Sequence, residues 1–190
     1  LICAVIVFLL FSPPQHETAM EPSPIMPASS WPALAKYAFG RTSVADGGGP
    51  QRGAAEEARY EAQKEWLAAR GEAPHEYMLR IAAWGDDGMA LEPCLVPYEL
   101  DSGTEHWILW FHPERFPPTQ DLPCHDFIRE RIASRLHAVV GEEWALWYEN
   151  PPSKRSVPAI RHLHVFLRLV SAPESAARAA QALRAEWAQR

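Results

Sequence analysis

The stretch Arg161–Val170 constrains the fold more than any other part of this chain. Leu163, Val165, Leu167 and Leu169 alternate with His162, His164, Phe166 and Arg168. A period of two is the signature of a β-strand, so the first four side chains point to one face, toward a core, and the second four to the other. Such a strand needs partners. Glu105–Phe111 supplies one by its aromatic and β-branched content, ended by Pro113, Pro117 and Pro118, and Glu143–Glu149 supplies another. Leu91–Leu100, with Pro93 and Pro97, reads as an extended approach.

Helical spacing fills the rest. A helix is expected over Ala54–Arg70, stopped by Gly71, with Ala58, Ala62, Trp66 and Leu67 near one face. A second starts at Pro74, carries Tyr77, Ile81 and Trp84, and ends at Gly85. A third opens at Pro123, presents Ile128, Ile132, Leu136 and Val139 or Val140 as one stripe, and is closed by Gly141. The last follows a capping box of Ser171 and Glu174, with Pro173 in its first turn and Leu183 and Trp187 as buried anchors. Three strands joined by short proline-rich turns imply an α+β fold, a small antiparallel sheet covered by helices on one side.

A chain of 190 residues holds one such domain and a tail. Residues 54–190 form the domain. Residues 1–53 are expected to be a largely disordered tail, rich in proline and containing Gly47-Gly48-Gly49-Pro50, from which Trp31–Phe39 could dock. The apolar start Leu1–Phe11 is too short for a bilayer, which needs about 20 residues. It lacks the basic start and cleavage site of a signal peptide, and Met20 is a candidate start. The three cysteines form no Cys-x-x-Cys, which argues against a disulfide framework or zinc ribbon and for a reducing, cytoplasmic setting. Cys94 and Cys124 are expected as small buried hydrophobes. A net charge of −6 without a basic cluster disfavours nucleic acid. A small phosphorylated ligand needs only one or two cations.

His162 and His164 stand on one strand face about 7 Å apart. Imidazoles so placed can act as nucleophile or general base with an orienting partner. With His106 as a third ligand they could instead hold zinc or iron, with Glu105, Glu149 and Asp101 as nearby acids. The bland alternative is that both cap buried polar groups. Asn150, Ser156 and Lys154 lie in the proline-bracketed loop that returns into the histidine strand, where they and Arg155 could contact a ligand. Asn150-Pro151-Pro152 can equally be a plain turn. Arg168 shares the histidine face and could meet an acid or a phosphate. Eight tryptophans, most of them between Trp66 and Trp147, raise a third possibility. If Trp107, Trp110, Trp144 and Trp147 cluster on the surface, they form a platform for a non-catalytic sensor or interaction protein.

Taken in order, Pro97-Tyr98, Glu105-His106-Trp107, Trp147-Tyr148-Glu149-Asn150-Pro151, Ser156-Val157-Pro158 and His162-Leu163-His164-Val165-Phe166 resemble one eukaryotic family. It is the domain-of-unknown-function family that includes the fungal N-acetylglucosamine-induced proteins. The resemblance spans roughly residues 60–170 and implies no particular reaction. A more distant likeness is to the histidine-triad superfamily, whose His-x-His-x-His strand attacks the α-phosphate of nucleotide esters. That likeness implies His162 as nucleophile, His164 as the third histidine, Asn150 as the ligand-binding asparagine and Ser156 as the serine before the strand. Ile160 stands where the first histidine belongs, and the Ser-Val to His spacing is about two residues longer. The implied function is binding or cleavage of a phosphorylated small molecule, a nucleotide or nucleotide sugar, with no cofactor required.

Overall fold

The computed structural model, which describes residues 30–40 and 49–190, builds the expected alternation into a four-stranded antiparallel sheet. Its strands are β1 (Met89–Pro93), β2 (Thr104–Phe111), β3 (Ala145–Tyr148) and β4 (His162–Arg168), in the order β1-β2-β4-β3. The histidine strand is therefore central, pairing with β2 on one side and β3 on the other. The helices are α1 (Trp31–Tyr37), α2 (Ala54–Ala69), α3 (Pro74–Ile81), α4 (His125–Leu136) and α5 (Glu174–Trp187). The expected tail and apolar start fall mostly on residues 1–29 and 41–48, outside the described residues.

β1 is the fourth strand, where the sequence suggests only an extended approach. Pro93 pairs opposite Trp107 at the last position of this edge strand, where a residue without an N–H is tolerated. β3 is shorter than Glu143–Glu149 because residues 142–144 form the turn that enters it.

The leucine face of β4 packs as expected. Leu163, Val165 and Leu167 join Leu91, Trp107 and Leu109 from the neighbouring strands. Over them lie Ile128, Ile132 and Leu136 of α4, and Ala176 and Ala180 of α5. Burial of a Leu- or Ile-sized side chain contributes about 1.5–3 kcal/mol, so this layer dominates stability. Several details differ from expectation. Helix α4 ends at Leu136 because His137 adopts a left-handed conformation (φ 52°), ahead of Gly141. Val140 enters the core and Val139 is 88% exposed. The box of Ser171 and Glu174 does not form: Leu169–Ser171 is a 3-10 turn and Pro173 itself caps α5. The small Ala176 and Ala180 are that helix's buried residues, which lets it approach closely, while Leu183 and Trp187 are only partly buried.

Helices cover both faces of the sheet, not one. On the histidine face, Trp31 and Leu34 of α1 pack on Leu146, Tyr148 and Phe166. Met78 of α3 and the following Ala82 pack with Ala90, Ile108 and Trp110. Pro74 occupies the first turn of α3, and the Glu76 carboxylate accepts the Ala73 N–H at 3.0 Å. In α2 the buried residue is Leu67, with Tyr60 and Gln63 partly covered on its side. Ala58 and Ala62 face solvent, and Trp66 is 46% exposed against the ring of Tyr77.

Candidate functional site

The register places the polar residues in rows across one face. Glu92, Ile108, His164 and Tyr148 are successive partners across the four strands. Ala90, Trp110 and His162 form the next row, and His106, Phe166 and Leu146 the row on the other side. His106, His162, His164 and Asn150 are all buried.

Three of these four form one hydrogen-bonded chain. The Tyr98 backbone N–H donates to His106 Nδ1 at 3.2 Å. His106 Nε2 lies 2.8 Å from His164 Nδ1, and His164 Nε2 lies 2.7 Å from the Asn150 side-chain amide. Burial, above all, holds the His106 pKa down to about 3 and that of His164 well below the usual imidazole range, so both rings are neutral. A neutral ring has one proton, and the Tyr98 N–H makes His106 Nδ1 an acceptor. His106 therefore carries its proton on Nε2 and donates to His164 Nδ1. The His164 proton is then on Nε2 and needs an acceptor, which is the Asn150 carbonyl oxygen. The two ends of an amide are interchangeable in shape, and a nitrogen there would set donor against donor, so the network requires the oxygen. Tyr98 also stacks on His106 at 4.6 Å, and its hydroxyl lies 3.4 Å from the same amide.

His162 is arranged differently. Its Nδ1–H donates to the Ile160 carbonyl at 2.9 Å. That bond fixes the ring and leaves Nε2 deprotonated, with a lone pair and no hydrogen-bond partner among the described residues. Burial is the main cause of a lowered His162 pKa, so the lone pair stays available at neutral pH. His162 and His164 lie at one side of a cavity of about 230 Å³. Its walls are mainly apolar and aromatic, with Trp110 at 4.8 Å from the His162 ring, Tyr60 of α2, Tyr77 and Met78 of α3, and Val96 and Val157 from loops. Arg52 and Lys64 are its cations. Cys94 also lines it, and burial pushes its thiol up to about 11, which leaves it an unreactive wall residue at neutral pH. Cys124, in contrast to the expectation of burial, is exposed at the start of α4.

The sequence-expected residues are thus divided. His106 and Asn150 reach the histidines but serve to pin His164. Ser156 is exposed and lines the cavity. Lys154 lines a separate hollow with Tyr98, Tyr148 and Asn150. Arg168 is not brought to the site, since it pairs opposite Thr104 at the far end of β4. A metal centre on His106, His162 and His164 does not match the geometry. His106 and His164 direct nitrogens at each other, and among the described residues no three His, Cys, Asp or Glu side chains cluster around one point. The acids are engaged elsewhere: Glu105 with Arg184 and the Trp107 indole, Glu149 with Arg155 and Arg161, and Asp101 with Thr104 and the Trp31 N–H. Trp107, Trp110, Trp144 and Trp147 are all buried, so they form no surface platform.

Sequence reasoning misses Arg52, Tyr60 and Tyr77 as site residues. Arg52 immediately precedes α2, in a stretch whose glycines and proline read as tail. Its guanidinium stacks on the Tyr60 ring at 4.0 Å. Tyr60 and Tyr77 are visible in the sequence only as generic helix-face aromatics.

Among the described residues no helix is long and apolar enough to cross a membrane. No curated protein matches the chain. The crystal structure of HTC1 is similar to it, with a TM-score of 0.50 at 20% identity over 72% of this chain and 86% of that one. At that identity the likeness is one of fold. Residues 51–168, a span that holds Arg52, Tyr98, His106, Asn150, His162 and His164, match the family described as protein of unknown function (DUF3605), and the chain belongs to that family.

Proposed function

We propose that this domain binds a small phosphorylated molecule with a planar body, and that His162 Nε2 is the group that acts on it. One observation carries the reading: a buried imidazole, fixed through Nδ1 to the Ile160 carbonyl, presents an unpartnered Nε2 beside a 230 Å³ cavity. Mostly apolar walls with a few directed polar groups are the usual make-up of a small-molecule site. The aromatic rings suit a flat base or the apolar face of a sugar, and Arg52 supplies charge for a phosphate. In this reading His162 is nucleophile or general base, and His164 is a positioning residue. Both of its nitrogens are occupied, and its ring meets that of His162 edge-on at 5.5 Å.

The narrower likenesses in the sequence bear on the ligand. The histidine-triad resemblance favours attack of His162 Nε2 on the phosphorus of a nucleotide ester, the N–P bond forming as the ester P–O bond breaks and the departing oxygen takes a proton from water. A ring held by the carbonyl two residues before it and free at Nε2 is suited to that role. Resemblance to N-acetylglucosamine-induced proteins makes amino-sugar phosphates and nucleotide sugars part of the ligand set to be tried. The experiment is titration of the purified chain with nucleotides, nucleotide sugars and N-acetylglucosamine 6-phosphate, wild type beside His162→Asn, with mass spectrometry for a phosphoryl or nucleotidyl adduct. Binding that weakens tenfold or more in His162→Asn is expected. Equal binding by both proteins contradicts the reading, and His162-dependent binding without adduct or turnover reduces it to recognition.

A further inference from the structure

On the other side of Tyr98 and Asn150 lies a second opening, a polar hollow of about 430 Å³. It shares Arg52 with the histidine cavity. Pro50, Gln51, Glu57, Tyr148, Asn150 and Lys154 also line it. Two features there lack the partners that a purely structural role would supply.

The first is Arg52. Its side chain is 19% exposed, yet its nearest carboxylate, Glu57, is 3.5 Å away and itself 50% exposed. Its Nε reaches the Val96 carbonyl only at 3.5 Å. A guanidinium taken this far out of water needs close, hydrogen-bonded anions to offset its desolvation, and among the described residues only the looser Glu57 pair is present. Its charge is felt instead by neutral groups: it helps to depress the His106 and His164 pKa values, after burial itself. The second is Tyr148. Its ring is sandwiched against His164 and Phe166 at 5.2 and 5.7 Å, and the residue is 4% exposed. Its hydroxyl is buried with no hydrogen-bond partner. Burial pushes the Tyr148 phenol well above its usual pKa and the neighbouring Tyr98 raises it further, while the two hydroxyls make no hydrogen bond of normal geometry. A buried hydroxyl left unmet is costly, so a group that meets it on binding recovers that cost.

From this we infer that the hollow is an anion subsite of the ligand, which holds a phosphate group between the Arg52 guanidinium, the Tyr148 hydroxyl and the Lys154 ammonium, apart from any ester phosphorus that meets His162, while the planar body occupies the histidine cavity. The inference rests on the proposed function for what fills the cavity, but the anion subsite is testable without it. Two cations and a hydroxyl suit a tetrahedral dianion better than a carboxylate, which one arginine can satisfy alone. Glu57 is the opposing charge, at the solvent side on the first turn of α2, and it must turn away when the anion enters.

The test uses the whole chain, inorganic phosphate as first probe, and adenosine with adenosine 5′-monophosphate as second. Calorimetric titration at low salt is expected to show phosphate binding that weakens tenfold or more in Arg52→Gln and about threefold or more in Tyr148→Phe. It tightens in Glu57→Gln. Tyr148→Phe removes only an unpartnered hydroxyl, so it keeps the test valid if Arg52→Gln folds poorly. Phosphate binding that is absent, or that survives either Arg52→Gln or Tyr148→Phe intact, overturns the assignment. If phosphate binds as described but adenosine 5′-monophosphate binds no tighter and ignores His162→Asn, the anion subsite stands and the cavity reading fails.

Discussion

The two faces of the sheet are built from the same four strands but to different ends. The face under α4 and α5 holds Leu, Val, Ile, Phe and Trp side chains packed against apolar helices. The other face carries His106, His162, His164 and Glu92, and Asn150 joins them from the loop after β3; these are the buried polar residues of the described chain. Burying an imidazole or carboxylate costs free energy unless it is paired. Most of this group is paired: His106 with His164, His164 with Asn150, and Glu92 with Arg190 and the Ala83 N–H. His162 Nε2 beside its cavity is one exception, and the buried Tyr148 hydroxyl and Glu92 Oε2 are others. One face, then, secures stability, while the other carries a paired frame around a few deliberately unpaired groups.

That contrast can be broken in four places. The largest effect is expected on the apolar face. Leu163→Ala should destabilise by about 2–5 kcal/mol through lost burial and a cavity under α4, measured by denaturant unfolding. If the two faces are separable, whatever folded fraction remains binds ligand as wild type does. His106→Ala comes next. It leaves His164 Nδ1 without its donor and opens a gap beside Tyr98, for a loss of about 1–3 kcal/mol. His162→Asn should change stability by less than about 1 kcal/mol, since its one internal bond is modest, yet abolish the ligand response. A loss as large as that of His106→Ala would place His162 in the frame instead.

The fourth place is pH. The unfolded chain's imidazoles titrate near 6.5, while His106 in the fold is held to about 3. A base with a depressed folded pKa contributes its full stability above the unfolded value and loses it as pH falls toward the folded one. His106 alone should remove about 1 kcal/mol between pH 6.5 and about 5.5, with His162 and His164 acting in the same direction. Unfolding midpoints measured across that window should fall, and the fall should shrink in His106→Gln. A flat profile would mean that these rings are open to water.

Legibility in the sequence followed the strength of the local pattern. The alternation of β4, the stripe of α4 and the aromatic run of β2 are periodic signals, and each becomes the element it suggests. β1 is not legible because its five residues carry a Glu that faces inward and a terminal proline, and only pairing with β2 makes them a strand. The cover on the histidine face is legible only as a segment, Trp31–Phe39, that could dock, not as to where it docks. Trp31 and Leu34 are two apolar residues in a proline-rich segment, and nothing local says that they pack on Phe166. Within the site, His162 and His164 share a face by period alone, but their different states do not follow from it. Those depend on which nitrogen meets the Ile160 carbonyl and which meets His106, a matter of angles between strands far apart in sequence. Arg168 shares the histidine face by the same period but is separated from His164 by length, since four residues along a strand carry it about 13 Å away.

Three neighbouring imidazoles hold three assigned protons, and the site depends on where each one sits. Nitrogen-15 NMR of the histidine rings at neutral pH reads those states directly, with His162→Asn, His164→Asn and His106→Gln to assign the signals. The account predicts neutral rings throughout, with His106 and His164 protonated on Nε2 and His162 on Nδ1, and a ligand-induced shift concentrated on His162 Nε2. A protonated Nε2 or a full positive charge on His162 in the free protein would contradict it.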